Sequence, residues 1–158
     1  GPDGHTRIYG ADLKLTWRPT TSFRGWPFFL WQSEVMGRDY VADRFFDGTI
    51  DLPRETLRDW GLYTQALYGF QYGWAAGLRY EYASGSGASV LAFSGRANDP
   101  FRDTRHRISP LLAWHPSEFS RIRLQYNYDR ADHLERQDAH SVWLGVEFLY
   151  GAHPAHKY

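Results

Sequence analysis

The sequence predicts an all-β protein, an antiparallel up-and-down transmembrane β-barrel in which about seven strands form part of a larger barrel. Three observations support this fold class. Apolar and polar residues alternate along seven segments, the links between the segments alternate in length, and aromatic residues gather at the segment ends. These features are typical of a barrel whose outer surface meets lipid and whose inner surface is polar.

Composition sets the limits of this interpretation. The chain has 158 residues, enough for one domain, and its formal net charge of zero gives no indication of nucleic-acid binding. Aromatic residues make up 18% of the chain. No apolar run approaches the roughly 20 residues that a membrane helix needs, but a barrel strand needs none because only alternate residues meet lipid.

The clearest alternation lies in residues 121–150. In the arm 121–129 every second residue is apolar, and the residues between them are charged or carry amides. The arm 142–150 presents one apolar face, made of Val142, Leu144, Val146, Phe148 and Tyr150. We expect this pair to be the seam of the barrel, where the last strand must find a first strand. If that strand precedes residue 1, the 158 residues alone form no closed monomeric barrel.

Five further strands are predicted before this pair, with the same period of two. We expect them at residues 9–17, 28–40, 60–70, 74–82 and 105–115. Pro110 fits least well, because proline cannot donate to the hydrogen-bond ladder, and a bulge or a locally unpaired position is expected there. Residues 53–57 could form a helical turn.

The predicted links are short at residues 18–27, 71–73 and 116–120 and longer at residues 41–59, 83–104 and 130–140. Outer-membrane barrels have short periplasmic turns and longer external loops. We therefore assign residues 1–150 to the barrel and residues 151–158 to a C-terminal periplasmic tail. Aromatic residues at the strand ends are expected to form interfacial girdles, namely Trp17, Trp26, Trp60, Trp74, Trp114 and Tyr128.

The number of strands leaves two interpretations open, since bacterial single-chain barrels have even numbers of strands from eight upward. In the first, the seven strands belong to a larger barrel. In the second, residues 89–93 form an eighth strand and the barrel is complete. The second interpretation would place the long link 41–59 on the periplasmic side, so the first is preferred.

The polar faces of the strands collect the candidate functional residues, which we expect to line a lumen: Asp12, Lys14, Gln32, Glu34, Arg38, Arg79, Glu81, Arg107, Arg123, Gln125, Asn127, Asp129 and Glu147. Arg79, Arg107 and Arg123 come from successive strands and could form an arginine ladder. Such a lumen could select anionic or zwitterionic solutes. Alternatively, acids and bases could pair into a structural network that fills a narrow barrel, and their near-equal numbers favour this second interpretation.

Metal binding and catalysis have weak support. His153 and His156 are weak candidates for zinc or nickel ligands, as is His133 beside Asp132 and Asp138, but cysteine is absent. We therefore expect no metal and no cofactor. No Gly-x-Ser-x-Gly motif occurs, and the neighbours His140 and Ser141 would point to opposite faces of a strand, so no enzymatic activity is expected.

Several segments resemble a known class of proteins. They are Tyr-Gly-Ala-Asp-Leu at 9–13, Trp-Gln-Ser-Glu-Val-Met at 31–36, Arg-Ile-Ser-Pro at 107–110, Pro-Ser-Glu-Phe-Ser at 116–120, Arg-Leu-Gln-Tyr-Asn-Tyr-Asp at 123–129 and Gly-Ala-His-Pro-Ala-His-Lys-Tyr at 151–158. In these segments the chain resembles the C-terminal portion of uncharacterised Gram-negative outer-membrane β-barrels, which are similar to porins and receptor barrels. The resemblance implies a longer protein in the bacterial outer membrane.

The function expected from these observations is porin-like or receptor-like passage of small polar solutes. The expected partners are outer-membrane lipid, the solutes, the barrel-assembly machinery acting through the C-terminal strand, and other strands that complete the barrel. Two alternatives stay open. One is a non-conducting structural or adhesive barrel, and the other is a soluble β-sandwich or lipocalin-like binding protein whose core is the apolar face.

Overall fold

The computed structural model describes residues 4–87, 102–132 and 136–150. Within these ranges the protein consists of β-strands joined by turns, and no helix is long and apolar enough to cross a membrane. The strands are β1 (His5–Trp17), β2 (Phe28–Ala42), β3 (Phe45–Phe46), β4 (Asp51–Leu52), β5 (Glu55–Gln71), β6 (Trp74–Ser86), β7 (Arg105–Ser117), β8 (Ser120–Ala131) and β9 (Asp138–Phe148).

Seven of these strands form one antiparallel sheet in the order β1-β2-β5-β6-β7-β8-β9, and β3 pairs with β4 in a separate hairpin. The predicted all-β, antiparallel, up-and-down order is confirmed. Strands β1 and β9 are the edges of the sheet, and they do not pair with each other in the described part of the chain. An open sheet agrees with the expectation that these residues alone do not close a barrel.

Several predicted boundaries are wrong at one end of the sheet. The predicted loop 41–59 is largely strand, because β2 continues to Ala42 and β5 begins at Glu55, and the two pair there. The predicted helical turn at 53–57 is wrong, since Thr56 lies opposite Val41 in the ladder. A neighbouring strand offers these residues partners for their backbone groups, which a single helical turn would leave unpaired.

The later boundaries differ in the same way. The predicted loop at 83–104 begins too early, because β6 continues to Ser86, and the proposed strand at 89–93 lies outside the described residues. The last strand is Asp138–Phe148, not 142–150, so the loop predicted at 130–140 is shorter. The tail at 151–158, with His153 and His156, also lies outside the described residues, as does His133.

The two predicted faces of the sheet are confirmed by the strand register. On one face Leu15 lies opposite Trp31, and Trp31 lies opposite Ala66. On the other face Lys14 lies opposite Gln32, and Gln32 lies opposite Gln65. We call these the apolar face and the polar face, after the side chains that they carry at these positions.

Pro110 is accommodated by a local interruption of the ladder. The pairing of β7 with β8 passes from Ile108–Tyr128 to Leu111–Gln125 without shifting, and Ser109 and Pro110 are unpaired on that side. The predicted locally unpaired position is therefore confirmed, and there is no bulge at this point. Pro110 still lies opposite Leu78 in β6.

In the part of the chain that the structure describes, the sheet is a single layer without a packed core. In the described residues no large side chain is fully buried, and the buried apolar residues are Val41, Ala75, Ala113 and Ala131. Large apolar side chains remain exposed, such as Trp17 at 56% and Leu144 at 71%. A soluble domain ordinarily covers such a face with a second layer of structure.

Candidate functional site

The polar face is concave and surrounds a hollow of about 910 Å³. Its walls include Glu34 and Arg38 from β2 as well as Asp129 from β8 and Ala139 from β9. Three strands separate β2 from β8, which would put them about 19 Å apart in a flat sheet. Since one hollow contacts both, the sheet curves toward its polar face.

Every residue predicted to line a lumen has the register position of the polar face. Asp12 lies opposite Glu34, Glu81 opposite Arg107, and Glu147 opposite Arg121, which belongs to the same set although it was not singled out. The common face is thus observed. That this face lines a lumen stays a prediction.

The centre of the polar face carries a chain of alternating charges across three strands. Arg79 contacts Glu81 at 2.7 Å from Nη2 to Oε1, and Arg107 lies 3.9 Å from the other oxygen of Glu81. Arg107 also donates from Nε to Oδ1 of Asp129 at 2.5 Å. The guanidinium of Arg79 lies over the ring of Tyr63, 4.1 Å from its centroid. Each carboxylate therefore offsets a neighbouring cation.

The arginine ladder predicted for Arg79, Arg107 and Arg123 is wrong. Arg79 lies opposite Ser109, Arg107 opposite Asp129, and Arg123 opposite Ala113, so the three occupy different levels of the sheet. The pairing of β6 with β7 puts Glu81, not Arg79, beside Arg107. Strand register depends on the turns and on pairing of the faces, and the alternation of residues within each strand does not reveal it.

Asp59 forms a second charged cluster near the long-link end of the sheet, where β2 is followed by β3 and β8 is followed by β9. It accepts hydrogen bonds from Arg38 in β2 and from Arg102, which precedes β7. Arg102 also donates to the carbonyl oxygens of Arg58 and Ser86, each at 3.2 Å. Gly85 leaves room for this arrangement, because a Cβ there would lie 2.6 Å from Oδ1 of Asp59.

Sequence reasoning missed both Asp59 and Arg102, because each was assigned to a loop. The available signal for Asp59 was its parity, which matches that of Tyr63 and Gln65 in the same strand. No comparable signal existed for Arg102, whose side chain is only 14% exposed because its segment folds onto the polar face.

An aromatic cluster occupies the polar face at the opposite, short-link end, where β5 turns into β6 and β7 into β8. The ring of Trp26 lies 4.9 Å from that of Phe28 and 5.9 Å from that of His115. Gly69 permits this packing, because a Cβ there would overlap the ring of Trp26 and the ring of Phe28. The assignment of Trp26 to an outward girdle is therefore wrong.

Amide and hydroxyl groups lie beside the central chain of charges, where Gln65 is directly opposite Arg79. Gln32 donates to the hydroxyl of Tyr63 at 2.9 Å, and Gln65 donates to Gln32 at 3.1 Å. On the same face, within β8, Gln125 donates to Asn127 at 2.7 Å. No group of three or more metal-ligating side chains is present in the described ranges.

Comparisons with known proteins add little about function. No family model matches the chain, and no solved structure matches it. The chain is 29% identical, over 158 aligned residues, to a protein of Aquifex aeolicus (strain VF5) whose name is "Uncharacterized protein". The alignment covers 98% of this chain and 31% of that relative. The chain therefore spans about a third of the length of this relative.

Proposed function

We propose that the seven-stranded sheet is part of a transmembrane β-barrel of the bacterial outer-membrane type, and that its polar face lines a passage for small polar solutes. The observation that carries this proposal is a single curved sheet, polar on its concave face and apolar on its convex face, which no described residue covers. Lipid is the environment that suits the first face, and water suits the second.

The exposed apolar face supports the membrane part of the proposal. Leu15, Leu78 and Val142 are exposed at 48%, 55% and 68%, and no second layer covers them in the described part of the chain. Burying one such side chain contributes roughly 1.5–3 kcal/mol. Lipid acyl chains would cover the whole face and remove this surface from water without a further protein layer.

Aromatic pairs at both ends of the apolar face fit two interfacial girdles. Trp74 stacks against Trp114 near the short links, with ring centroids 5.7 Å apart. Trp60 contacts Tyr82 at 4.7 Å near the long links. Within β6, Trp74 and Tyr82 are about 26 Å apart along the strand at about 3.3 Å per residue. This spacing is of the order of the apolar band of an outer-membrane barrel.

The two edge strands fit a larger barrel. β1 has 13 residues and β9 has 11, and each has one neighbour in the sheet. Unpaired edges of this length would be hydrogen-bonded to further strands in a closed barrel. The Aquifex relative is about three times as long as the aligned region, so a chain of that length has room for such strands.

A non-conducting barrel is the second candidate, because the charges on the polar face are extensively paired. Arg79, Glu81, Arg107 and Asp129 form one continuous network, and Arg121 contacts Glu147 at 2.5 Å. In a narrow barrel, a network of this kind would occupy the interior. Such a barrel would act through surfaces other than a passage.

Two measurements on the purified full-length protein test the proposal. Reconstitution into planar bilayers should give discrete conductance steps, and their absence would favour the non-conducting barrel. A folded barrel should also migrate differently on a detergent gel before and after heating. Equal migration, with no conductance, would reject the membrane barrel and favour a soluble β-sandwich or a lipocalin-like binding protein.

A further inference from the structure

The polar face has a second hollow, of about 460 Å³, whose floor is apolar. Leu30 lies opposite Leu67, Leu67 lies opposite Gly77, and Gly77 lies opposite Leu111. Gly77 lets the two flanking leucines converge, since a Cβ there would lie 3.0 Å from Cδ1 of Leu67 and 3.7 Å from Cδ2 of Leu111. We call Leu30, Leu67 and Leu111 the leucine row, which forms a continuous apolar strip across the polar face.

The walls of this hollow carry an excess of positive charge. Arg79, Arg107, Arg121 and Arg123 line it, and Glu81 is the carboxylate among its lining residues. Asp129 and Glu147, outside the lining, pair with Arg107 and Arg121. Arg123 has no ion pair or hydrogen bond with any residue that the structure describes. Among the described residues, the four arginines of the lining thus outnumber the carboxylates in and beside it, which are Glu81, Asp129 and Glu147.

Three buried polar atoms in the lining also lack a hydrogen-bond partner among the described residues. They are Nε of Arg79, Nε of Arg121 and Oγ of Ser109. Ser109 is 3% exposed and lies directly opposite Arg79 across β6 and β7. Leaving buried donors unsatisfied costs free energy, and all three of these atoms can donate to an anion.

We propose that this hollow binds a small organic carboxylate. Its carboxylate group would accept hydrogen bonds from Arg79 and Ser109, and its hydrocarbon part would lie on the leucine row. Arg123 contributes to the excess of positive charge in the lining. Charge-assisted hydrogen bonds give the site its preference for an anion, and the apolar floor distinguishes an organic acid from an inorganic ion. That this ligand is also a transported solute rests on the proposed function.

Isothermal titration calorimetry on the full-length protein in detergent tests the site with sodium benzoate, and with benzamide as the neutral analogue. We expect saturable binding of benzoate and at least about tenfold weaker binding of benzamide. Arg79→Gln and Arg123→Gln should each weaken benzoate binding by about tenfold, and Ser109→Ala by about threefold. Arg54→Gln is the control, since it removes an equal charge from an exposed side chain that lines neither hollow.

Several outcomes would overturn the site: no saturable benzoate binding, equal binding of benzamide, or an effect of Arg54→Gln as large as that of Arg123→Gln. Arg123→Lys keeps the charge and should retain more affinity than Arg123→Gln if the protein remains folded. Conductance is measured separately. Binding without conductance would keep the site and reject the passage, whereas conductance without binding would keep the passage and reject the site.

Discussion

Arg102 reaches across the polar face to the carboxylate of Asp59, and it does so from the segment that immediately precedes β7. The side chain of Arg102 is largely buried, and it also donates to the carbonyl oxygens of Arg58 and Ser86. The contact ties this segment to β5 and β6, because all of the acceptors lie on those strands.

Arg102→Ala should release this segment from the polar face. We expect faster amide hydrogen exchange in residues 102–104, since the bonds to Asp59 and to two carbonyl groups are lost. Arg58→Ala is the control, because Arg58 is 73% exposed and only approaches Asp39 at 3.6 Å. Equal exchange in the two variants would show that Arg102 does not hold the segment.

Glu81→Gln should make the proposed passage more selective for anions. Glu81 lies between Arg79 and Arg107, so removing its charge leaves two guanidinium groups less well neutralised. The reversal potential in a salt gradient across a planar bilayer measures the selectivity. Glu118→Gln removes an equal charge from the turn between β7 and β8 and should leave the potential unchanged. A shift of the reversal potential of equal size in both variants would contradict a role for Glu81 in lining the passage.

Leu124→Arg and Gln125→Arg form a matched pair of neighbours on opposite faces of β8. Leu124 lies opposite Leu112 and Leu144 on the apolar face, whereas Gln125 lies opposite Leu111 and Trp143 on the polar face. Arginine on a lipid-facing surface costs about 2–4 kcal/mol near the bilayer midplane. Urea unfolding in lipid vesicles should therefore show a loss of this size for Leu124→Arg and a clearly smaller loss for Gln125→Arg. Equal losses would contradict a lipid-facing Leu124.

The β3–β4 hairpin should lose order in acid. The backbone N–H groups of Ile50 and Thr49 lower the pKa of Asp47, and the hydrogen bond from Arg44 lowers the pKa of Asp51, both below the usual 3.8. Groups with a depressed folded pKa stabilise the hairpin fully above the unfolded value, and this contribution is lost as pH falls through the folded value.

Chemical shifts of the Thr49 and Ile50 amides, measured by nuclear magnetic resonance, should therefore stay constant from neutral pH to about pH 5 and change below about pH 4. Asp47→Asn should remove most of this pH dependence, because an amide does not ionise in this range. A change centred above pH 5 would contradict the assignment to these carboxylates.

The two faces of the sheet could be predicted from sequence because side-chain direction alternates with a fixed period in a strand. The faces of Leu13 and Lys14 could therefore be assigned without knowing which strands lie next to β1. Partners across strands could not be predicted in the same way. The arginine ladder failed because it depends on strand register. The contact between Asp59 and Arg102 was missed because it depends on a segment that folds back onto the sheet. Neither feature leaves a local pattern in the sequence.

The boundaries failed for a related reason. Residues such as Glu55 and Arg58 have no preference for a strand over a loop, and they join β5 because β2 lies alongside them. Pro110 was the exception, since the missing N–H of proline dictates an interruption wherever the strand lies.

The most direct test of the central claim is spin-label scanning of β9 in the full-length protein, reconstituted in lipid vesicles. The chain described here has no cysteine, so single cysteines can be placed in it one at a time along residues 141–147. We predict that labels at Val142, Leu144 and Val146 are accessible to oxygen dissolved in lipid. Labels at Ser141, Gly145 and Glu147 should instead be accessible to a water-soluble nickel complex. Accessibility to the nickel complex at every position, or to neither reagent at the apolar positions, would contradict a membrane-spanning sheet.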